Sequence, residues 1–342
     1  MAYDLDAVLK DMVARQATNA HMKVRTPVYF RVLDQLERTE HPVPGMQDLE
    51  AFADQLLQPE ELDRLRVESQ ADGIFTLGET GLRFRVSFFR QRGSLGLVLR
   101  QIPAAVPSFN ELGLPDFASQ LLDRKRGLIL VTGPASSGKT TTVAAMLSRW
   151  AHFGRPHIVT LEDPIEYVLD SGSGMVTQRQ VGVDTPTFGS GLKHVLRQDP
   201  DIVFVGDLRD HDTAAAAVAG AETGHLVIST MQTLTAATSL EQLIGLYPTP
   251  QQDQVRTQLS IVLQGVVSQA LVPTTDRSRR VAAFEVMLPT DVLRNVIRQN
   301  QIFRIGDLLD GTPNCISLKK SLAGLVQKGL ITSEDARRAI GS

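Results

Sequence analysis

The sequence predicts an α/β protein, with a small α+β domain at its start and a larger domain with a mainly parallel sheet after it. Apolar residues at helical spacing open the chain, and short β-rich runs follow from Asp72. Further on, apolar strands alternate with alanine-rich helical segments, as in a parallel sheet with crossover helices. The 342 residues, of which 42% are hydrophobic, suffice for two cores. We expect domains at 1–101 and 113–342, joined by a linker at 102–112.

The first domain is expected to begin with a helix, because Leu5, Val8, Leu9 and Met12 recur at helical spacing. The stretch VRTPVYFRVL is typical of a strand, and MQDLEAFADQLLQPEELDRL is a second amphipathic stretch. The runs GIFTLG, LRFRVSFF and LGLVLRQI are separated by turns that contain glycine, as in hairpins. The proline-containing stretch IPAAVPSFNELGLP then predicts the linker.

Composition limits the partners and the compartment. The 35 basic and 38 acidic residues give a net charge of -3, which provides no bulk attraction to nucleic acid or to an anionic membrane. The start, MAYDLDAVLKDMVARQ, carries charges every few residues, so we expect neither a signal peptide nor a transmembrane segment. Cys315 is a lone cysteine, which fits a reducing compartment. A cytoplasmic protein without a nucleic-acid partner is expected.

The segment GPASSGKTTT, residues 133 to 142, lies between the strand GLILVT and the helical AAMLSRW. Gly133 and Gly138 bracket four residues and are followed by Lys139 and Thr140, which is the full pattern of a phosphate-binding P-loop. The glycines let backbone N–H groups close around phosphates, the lysine neutralises phosphate charge, and the threonine hydroxyl ligates Mg²⁺. A chance glycine-rich turn is the alternative, and the strand-loop-helix context opposes it. The expected nucleotide-binding residues here are Gly133, Ser136, Gly138, Lys139, Thr140 and Thr141.

Two further strand ends supply acids. HIVTLEDPIEYV leads into Glu162, Asp163 and Glu166, and DIVFVGD ends on Asp207. Open α/β sheets bind ligands at such strand ends, and carboxylates hold Mg²⁺ directly or through water. Taken alone, each acidic end would more often be a helix cap or a solvated turn, but a P-loop in the same domain reverses those odds. Asp163 and Asp207 are therefore candidate Mg²⁺ ligands beside Thr140.

These segments, followed by ETGHLVIST, resemble in their order the secretion-ATPase superfamily, and within it the type IV pilus retraction ATPases of the PilT/PilU family. The resemblance runs from about Arg83 to the C-terminus and faintly into the first domain. It implies an N-terminal PAS-like domain, a RecA-like P-loop ATPase domain, and a homohexamer with ATP between subunits. It also implies a cytoplasmic ATPase, peripheral at the inner-membrane face of the pilus machine, that acts on a pilus platform protein.

The resemblance assigns catalytic roles residue by residue. Glu166 matches the acid that positions or deprotonates the attacking water, which suits a carboxylate. Asp207 matches the Walker B acid, and Arg209 follows it. His225, in TGHL, matches one of two histidines of the His box. An isolated histidine here would more often be a packing or capping residue, but its place after Thr223 and Gly224 favours a role near the nucleotide.

Three arginines of the first domain, Arg83, Arg85 and Arg100, match positions from which family members bring positive charge toward phosphates. Arg83 and Arg85 share one face of a strand, and an ordinary solvated face is the alternative interpretation. The resemblance implies that hydrolysis shifts the first domain relative to the second, with IPAAVPSF as the joint.

The chain departs from the family pattern at two positions. Asp207 stands where the family usually has Glu, so its carboxylate is one methylene shorter. Gln232 replaces the second histidine of the His box, and an amide cannot exchange a proton near neutral pH. Two hypotheses follow: an ATPase that powers or assists pilus retraction, or a catalytically weak accessory subunit that depends on a more active paralogue.

Two shorter segments bear on the branch of the family. QRGSLG resembles the PilU branch, and VLRNVIRQN resembles the AIRNLIRE motif of retraction ATPases. In the second segment we expect Val292, Val296 and Ile297 on a buried helix face, with Arg294 and Arg298 exposed. A nucleic-acid motor is a further alternative, since RecA-like domains also drive helicases, but the charge and an aromatic content of 5% oppose it.

Overall fold

The computed structural model describes residues 3–33, 35–102 and 105–341, and of Glu79 the backbone alone. The chain divides into two compact units, Met1–Ala105 and Val106–Ser342. The predicted linker spans this division, and its residues 103 and 104 lie outside the described residues. Phe109 is buried in a core of the second unit, so the later part of the predicted linker packs as part of that unit.

The first unit is an antiparallel sheet with helices packed on it. Within residues 3–33 and 35–102, six strands form one sheet in the order β3-β2-β1-β6-β5-β4. In chain order the elements are α1 (Leu5–Ala14), β1 (Asn19–Lys23), β2 (Thr26–Val32), β3 (Gln35–Arg38), α2 (Met46–Leu56), α3 (Pro59–Glu68), β4 (Gln70–Leu77), β5 (Leu82–Gln91) and β6 (Ser94–Ile102).

The predicted start of the first unit is confirmed, because the four apolar residues at helical spacing are the buried face of α1. The second amphipathic stretch differs from a single helix: it forms α2 and α3, with a break at Leu57 and Gln58. Pro59 is the first residue of α3, and the residue before a proline is driven to extended backbone. Gln58 has a φ of -75° and a ψ of 160°, which is that extended conformation.

The second unit contains a mixed, mostly parallel sheet. Within residues 105–341, seven strands are ordered β13-β12-β7-β11-β10-β8-β9, and each neighbouring pair is parallel except β12 with β13. The predicted α/β class with a mainly parallel sheet is thereby confirmed. The elements are β7 (Gly127–Thr132), α4 (Lys139–Ala151), β8 (His157–Glu162), β9 (Met175–Gln180), α5 (Phe188–Val195), β10 (Ile202–Val205), α6 (His211–Glu222), β11 (Leu226–Met231), α7 (Ala236–Gly245), α8 (Gln252–Val262), β12 (Leu263–Pro273), β13 (Arg280–Met287), α9 (Asp291–Arg298), α10 (Ile305–Leu309), α11 (Leu318–Gln327) and α12 (Ser333–Ile340).

The central strand β7 is buried on both faces. Leu128 and Leu130 join the core that contains α6, α7 and α8 residues, while Ile129 and Val131 join the core that contains α4 residues. Such continuous burial is typical of a parallel strand covered by helices on both sides. No helix in the described part of the chain is long and apolar enough to span a membrane.

One buried carboxylate connects two helices of the second unit. Glu285 of β13 is 4% exposed, and its carboxylate accepts hydrogen bonds from the backbone N–H of Ala236 at 2.6 Å and of Leu318 at 3.3 Å. These are the first residues of α7 and α11, where helix dipoles favour a negative charge. Burial raises the pKa of Glu285 above its ordinary value, and the two N–H groups oppose that shift.

Replacing Glu285 should destabilise the second unit. Glu285→Ala leaves two buried N–H groups without an acceptor, each of which costs about 1–3 kcal/mol, so we expect the free energy of unfolding to fall by about 2 kcal/mol or more. The urea transition is followed by fluorescence of Trp150, the single tryptophan of the chain, which lies in a core of this unit. Glu241→Ala, at an exposed position of α7, is the matched control and should change stability by less than about 0.5 kcal/mol. Equal transitions for the two variants would contradict the role of Glu285.

Candidate nucleotide site

The P-loop lies where β7 leaves the sheet. The chain turns over residues 133–138, and α4 begins at Lys139. Gly133, Ser136 and Gly138 have positive φ angles of 150°, 62° and 89°, a region that glycine enters at no steric cost. The ammonium of Lys139 donates to the carbonyls of Gly133 and Pro134, both at 2.8 Å. The structure thus brings the predicted loop residues together around the N-terminus of α4.

The interior of the loop is polar. Ser137 is 3% exposed, and its Oγ has no hydrogen-bond partner among the described residues. Buried hydroxyls without a partner are uncommon, and this one lies in the loop that precedes the N-terminus of α4, where the helix dipole favours an anion. A loop of this chemistry fits the phosphates of a nucleotide.

The segment that carries Glu166 is held beside the first turn of α4. The Oγ1 of Thr141 lies 2.9 Å from the hydroxyl of Tyr167. The amide of Gln178, on β9, donates to the carbonyl of Tyr167 and to a carboxylate oxygen of Glu162, both at 2.9 Å. Glu166, next to Tyr167, is half-buried. Tyr167 and Gln178 were missed by the sequence analysis, since neither residue type signals a scaffold by itself.

The acids at the end of β8 differ in environment. Glu162 is 6% exposed, accepts a hydrogen bond of 2.6 Å from Thr160, and lines with Thr140 a small cavity of about 10 Å³. Asp163 is exposed. The acid that shares a cavity with Thr140 is therefore Glu162, and the metal-binding role of Asp163 stays a prediction.

The two positions at which the chain departs from the family pattern contact each other. Asp207 is 8% exposed, and its Oδ2 accepts from Nε of Arg209 at 2.7 Å and from Nε2 of Gln232 at 3.5 Å. Strands β10 and β11 are parallel neighbours, so the residues that follow them meet at one edge of the sheet. The side chain of Arg209 is 63% exposed, so water screens this ion pair.

His225 lies at the edge of the sheet opposite the P-loop of its own chain. His225 precedes β11, and its carbonyl accepts from the N–H of Gly127, at the start of β7. The P-loop follows the other end of β7, roughly 16 Å away at about 3.3 Å per residue. The Nδ1 of His225 lies 3.2 Å from the carbonyl of Gly220, near the end of α6. These contacts are those of a capping histidine, and the expected role of His225 near a nucleotide stays a prediction.

The three predicted arginines of the first unit share one face of its sheet. Arg85 pairs directly with Arg100 across β5 and β6, and Arg83 lies two residues before Arg85 on the same face. Phe84 and Val86, which alternate with them, are buried in the core. The structure therefore gathers the arginines within the first unit, and their action on phosphates stays a prediction.

The helix that resembles the retraction motif has a buried face different from the predicted one. Val292 is 59% exposed, so its predicted burial is wrong. Arg294 is half-buried rather than exposed, because its guanidinium donates to the carbonyls of Ser260 at 2.7 Å and Ile261 at 3.0 Å, near the end of α8. Burial lowers the pKa of Arg294. Arg298 is exposed, as predicted. The buried face of α9 consists of Leu293, Val296 and Ile297.

The comparisons of the sequence and of the structure with known proteins agree with one another. The family model described as type II/IV secretion system protein matches residues 1–301. The type IV pilus retraction ATPase PilT of Pseudomonas aeruginosa is 36% identical over 337 residues, which cover 98% of this chain and 97% of PilT. The type IV pilus ATPase PilU of the same bacterium is 39% identical over 265 residues, 77% of this chain and 69% of PilU. The crystal structure of the pilus retraction motor PilT with bound ADP has a TM-score of 0.87 at 37% identity, covering 99% of this chain and 97% of that one.

Alanine substitutions beside the two ends of β7 should show which end binds the nucleotide. Gly133→Ala places a Cβ 2.3 Å from the carbonyl of Gln269 and 2.5 Å from Oγ of Ser137, so we expect loss of binding of a fluorescent ADP analogue. His225→Ala removes a contact at the opposite edge and should change the dissociation constant less than about twofold. Weak binding by His225→Ala, with an unchanged circular dichroism spectrum, would instead indicate that His225 contributes to the nucleotide site.

Proposed function

Because the chain belongs to the type II/IV secretion system protein family, we propose that it is a pilus retraction ATPase of the PilT/PilU type. It hydrolyses ATP to power or assist retraction of type IV pili, and so supports twitching motility. The observation that carries this proposal is the P-loop, with Lys139 held at two loop carbonyls. In this proposal the first unit is PAS-like and the second is RecA-like. Six copies form a cytoplasmic ring at the inner-membrane face of the pilus machine, where the ring acts on a platform protein.

The loop and the start of α4 bind the triphosphate. The backbone N–H groups of residues 135–138 and the helix dipole attract the phosphates, and the ammonium of Lys139 moves from the two loop carbonyls to neutralise them. The hydroxyl of Thr140 and the carboxylate of Asp207 supply the oxygen ligands that Mg²⁺ prefers. In the described part of the chain, no group of three or more His, Cys, Asp or Glu side chains forms a metal site by itself. This fits a metal that shares its ligands with phosphates; when bound, it neutralises their charge.

Glu166 orients the attacking water. A loose transition state for phosphoryl transfer requires an oriented water more than a strong base, and Tyr167 and Gln178 fix the segment that carries Glu166. In the ring, Arg83, Arg85 and Arg100 supply positive charge for the phosphates, supported by the face of the sheet that they share.

The contacts of Asp207 favour a second candidate function. Its Oδ2 already accepts from Arg209 and from Gln232, so the short carboxylate is occupied before a metal binds. A chain that binds ATP but turns it over slowly would serve as an accessory subunit beside a more active paralogue. The comparisons match both PilT and PilU, so a place in the PilU branch stays a prediction.

Steady-state ATP hydrolysis by the purified protein tests the enzymatic proposal. We expect wild type to exceed Lys139→Ala by at least about tenfold, since that change removes the charge that faces the phosphates. Asp207→Asn should retain binding of the ADP analogue and lose Mg²⁺-dependent hydrolysis, because a neutral amide is a poor ligand for the metal. Wild type that binds nucleotide but hydrolyses no faster than Lys139→Ala, until Asp207→Glu raises the rate, would instead identify the accessory subunit.

Twitching tests the biological role. In the bacterium that encodes this chain, replacing the gene by its Lys139→Ala form should abolish or reduce the twitching zone without reducing the number of surface pili, because retraction fails while extension continues. Glu241→Ala, at an exposed position of α7, is the matched control and should twitch as wild type does. Loss of surface pili in the Lys139→Ala strain would point to pilus assembly rather than retraction.

A further inference from the structure

Gln269 is a buried polar residue at the point where the P-loop leaves the sheet. It is 2% exposed and lies on β12, the parallel neighbour of β7. The pairing of the two strands ends with Ser268 opposite Thr132, so Gln269 is level with Gly133, the first residue of the loop. Its side chain lies on the α4 face of the sheet, because Val267, two residues earlier, packs in the core that contains α4.

The amide of Gln269 bridges the loop and the helix that follows it. Its Nε2 donates to the carbonyl of Ser137 at 2.6 Å, and its Oε1 accepts from Oγ1 of Thr142 at 2.8 Å. The carbonyl of Ser137 needs a donor, and the hydroxyl of Thr142 needs an acceptor. One side chain must therefore offer a donor and an acceptor in the same plane. The planar carboxamide of Gln does this, as the carboxamide of Asn and a neutral imidazole also can.

Both glycines of the phosphate motif pack around the same residue. A Cβ at Gly133 would lie 2.3 Å from the carbonyl oxygen of Gln269, and one at Gly138 would lie 3.1 Å from its Nε2. The space that a side chain would need at either end of the loop is therefore filled by Gln269. Close approach to the Gln269 backbone at Gly133, and positive φ at both positions, explain why this chain has glycine there.

The bridge orients the backbone of the loop. In a planar trans peptide the C=O and the following N–H point in opposite directions. Because the carbonyl of Ser137 is turned toward β12 by Gln269, the N–H of Gly138 is turned away from β12. That N–H adjoins the N-terminus of α4, where a phosphate is attracted, and the Ser137 carbonyl is kept from repelling the phosphate.

We propose that Gln269 is a positioning residue for the nucleotide, which holds the P-loop in its phosphate-binding conformation through Ser137 and Thr142. This inference rests on the proposed function, since it concerns the same site. Gln269 itself does not contact the reacting atoms. It acts by fixing the direction of one loop peptide before ligand binds, so that the loop need not reorganise on binding.

The test compares two identical substitutions on one strand. Gln269→Met keeps the length of the side chain and removes both hydrogen bonds. Gln264→Met is the matched control, because Gln264 lies at the start of β12, beside Gly127 at the opposite edge. We expect Gln269→Met to weaken binding of the fluorescent ADP analogue by at least tenfold and to raise KM for ATP more than it lowers kcat. Gln264→Met should bind as wild type does.

A second pair of variants keeps the test decisive if Gln269→Met unfolds. Thr142→Val removes the hydroxyl that donates to Gln269 and keeps the shape, whereas Thr142→Ser keeps the hydroxyl. We expect weaker nucleotide binding for the valine variant and near wild-type binding for the serine variant, with the urea transition of Trp150 fluorescence showing that both are folded. A role limited to stability would shift that transition in both Thr142→Val and Gln269→Met while leaving the affinity of the folded protein unchanged.

Three outcomes would overturn the inference. The first is wild-type affinity in Gln269→Met, and the second is equal weakening by Gln264→Met, which would indicate a general effect of strand β12. The third is wild type that binds the ADP analogue no more tightly than Lys139→Ala. In that case the proposed function is wrong and the inference falls with it, whereas a Lys139-dependent wild type with an unaffected Gln269→Met contradicts the inference alone.

Discussion

The parallel pairing of β7 with β11 and β12 is the constraint on which the candidate site depends. Because β7 is buried on both faces and paired on both edges, its last residue, Thr132, has a fixed place, and the P-loop must leave the sheet there. The same register places the ends of the remaining strands at one or the other of two edges of the sheet. Residues after β10 and β11 come to the P-loop edge, and residues before β11 go to the opposite edge. Strand register, rather than proximity in the chain, therefore decides which side chains of this sheet lie beside the P-loop.

The two departures from the family pattern form one altered contact. Gln232 donates toward the same carboxylate oxygen of Asp207 that accepts from Arg209. A histidine at this position could gain a charge near neutral pH and change its attraction to the acid, whereas an amide stays neutral and donates at every pH. This contact thus gains no charge from the amide near neutral pH. Its strength depends on the Arg209 pair, which is screened because that arginine is mostly exposed.

The P-loop and the mostly parallel sheet could be predicted from the sequence because their determinants are local: a run of apolar residues, the spacing of two glycines, and the lysine that follows. Gln269 could not, since its partners are 127 and 132 residues away, and a glutamine in the run VVSQALV carries no periodic signal. The edge on which His225 lies could not be predicted either, because adjacency to a motif in the chain does not state which edge of the sheet a residue occupies. Val292 was misplaced because the helical period leaves the orientation of an eight-residue helix to its neighbours.

At the P-loop edge of the sheet, hydrogen-bonded hydroxyls connect the end of β7 with the turn after β11. On one face, the hydroxyl of Thr132 donates to Ser268 at 2.8 Å and lies 3.2 Å from that of Ser239, on α7. The hydroxyl of Ser239 lies 2.6 Å from that of Thr233, which follows Gln232. The hydroxyls of Thr132, Ser239 and Ser268 are buried, and they satisfy one another by hydrogen bonds that would otherwise need water. The turn after β11 and the start of the P-loop are thereby joined by one chain of hydrogen-bonded hydroxyls, through Thr233, Ser239 and Thr132.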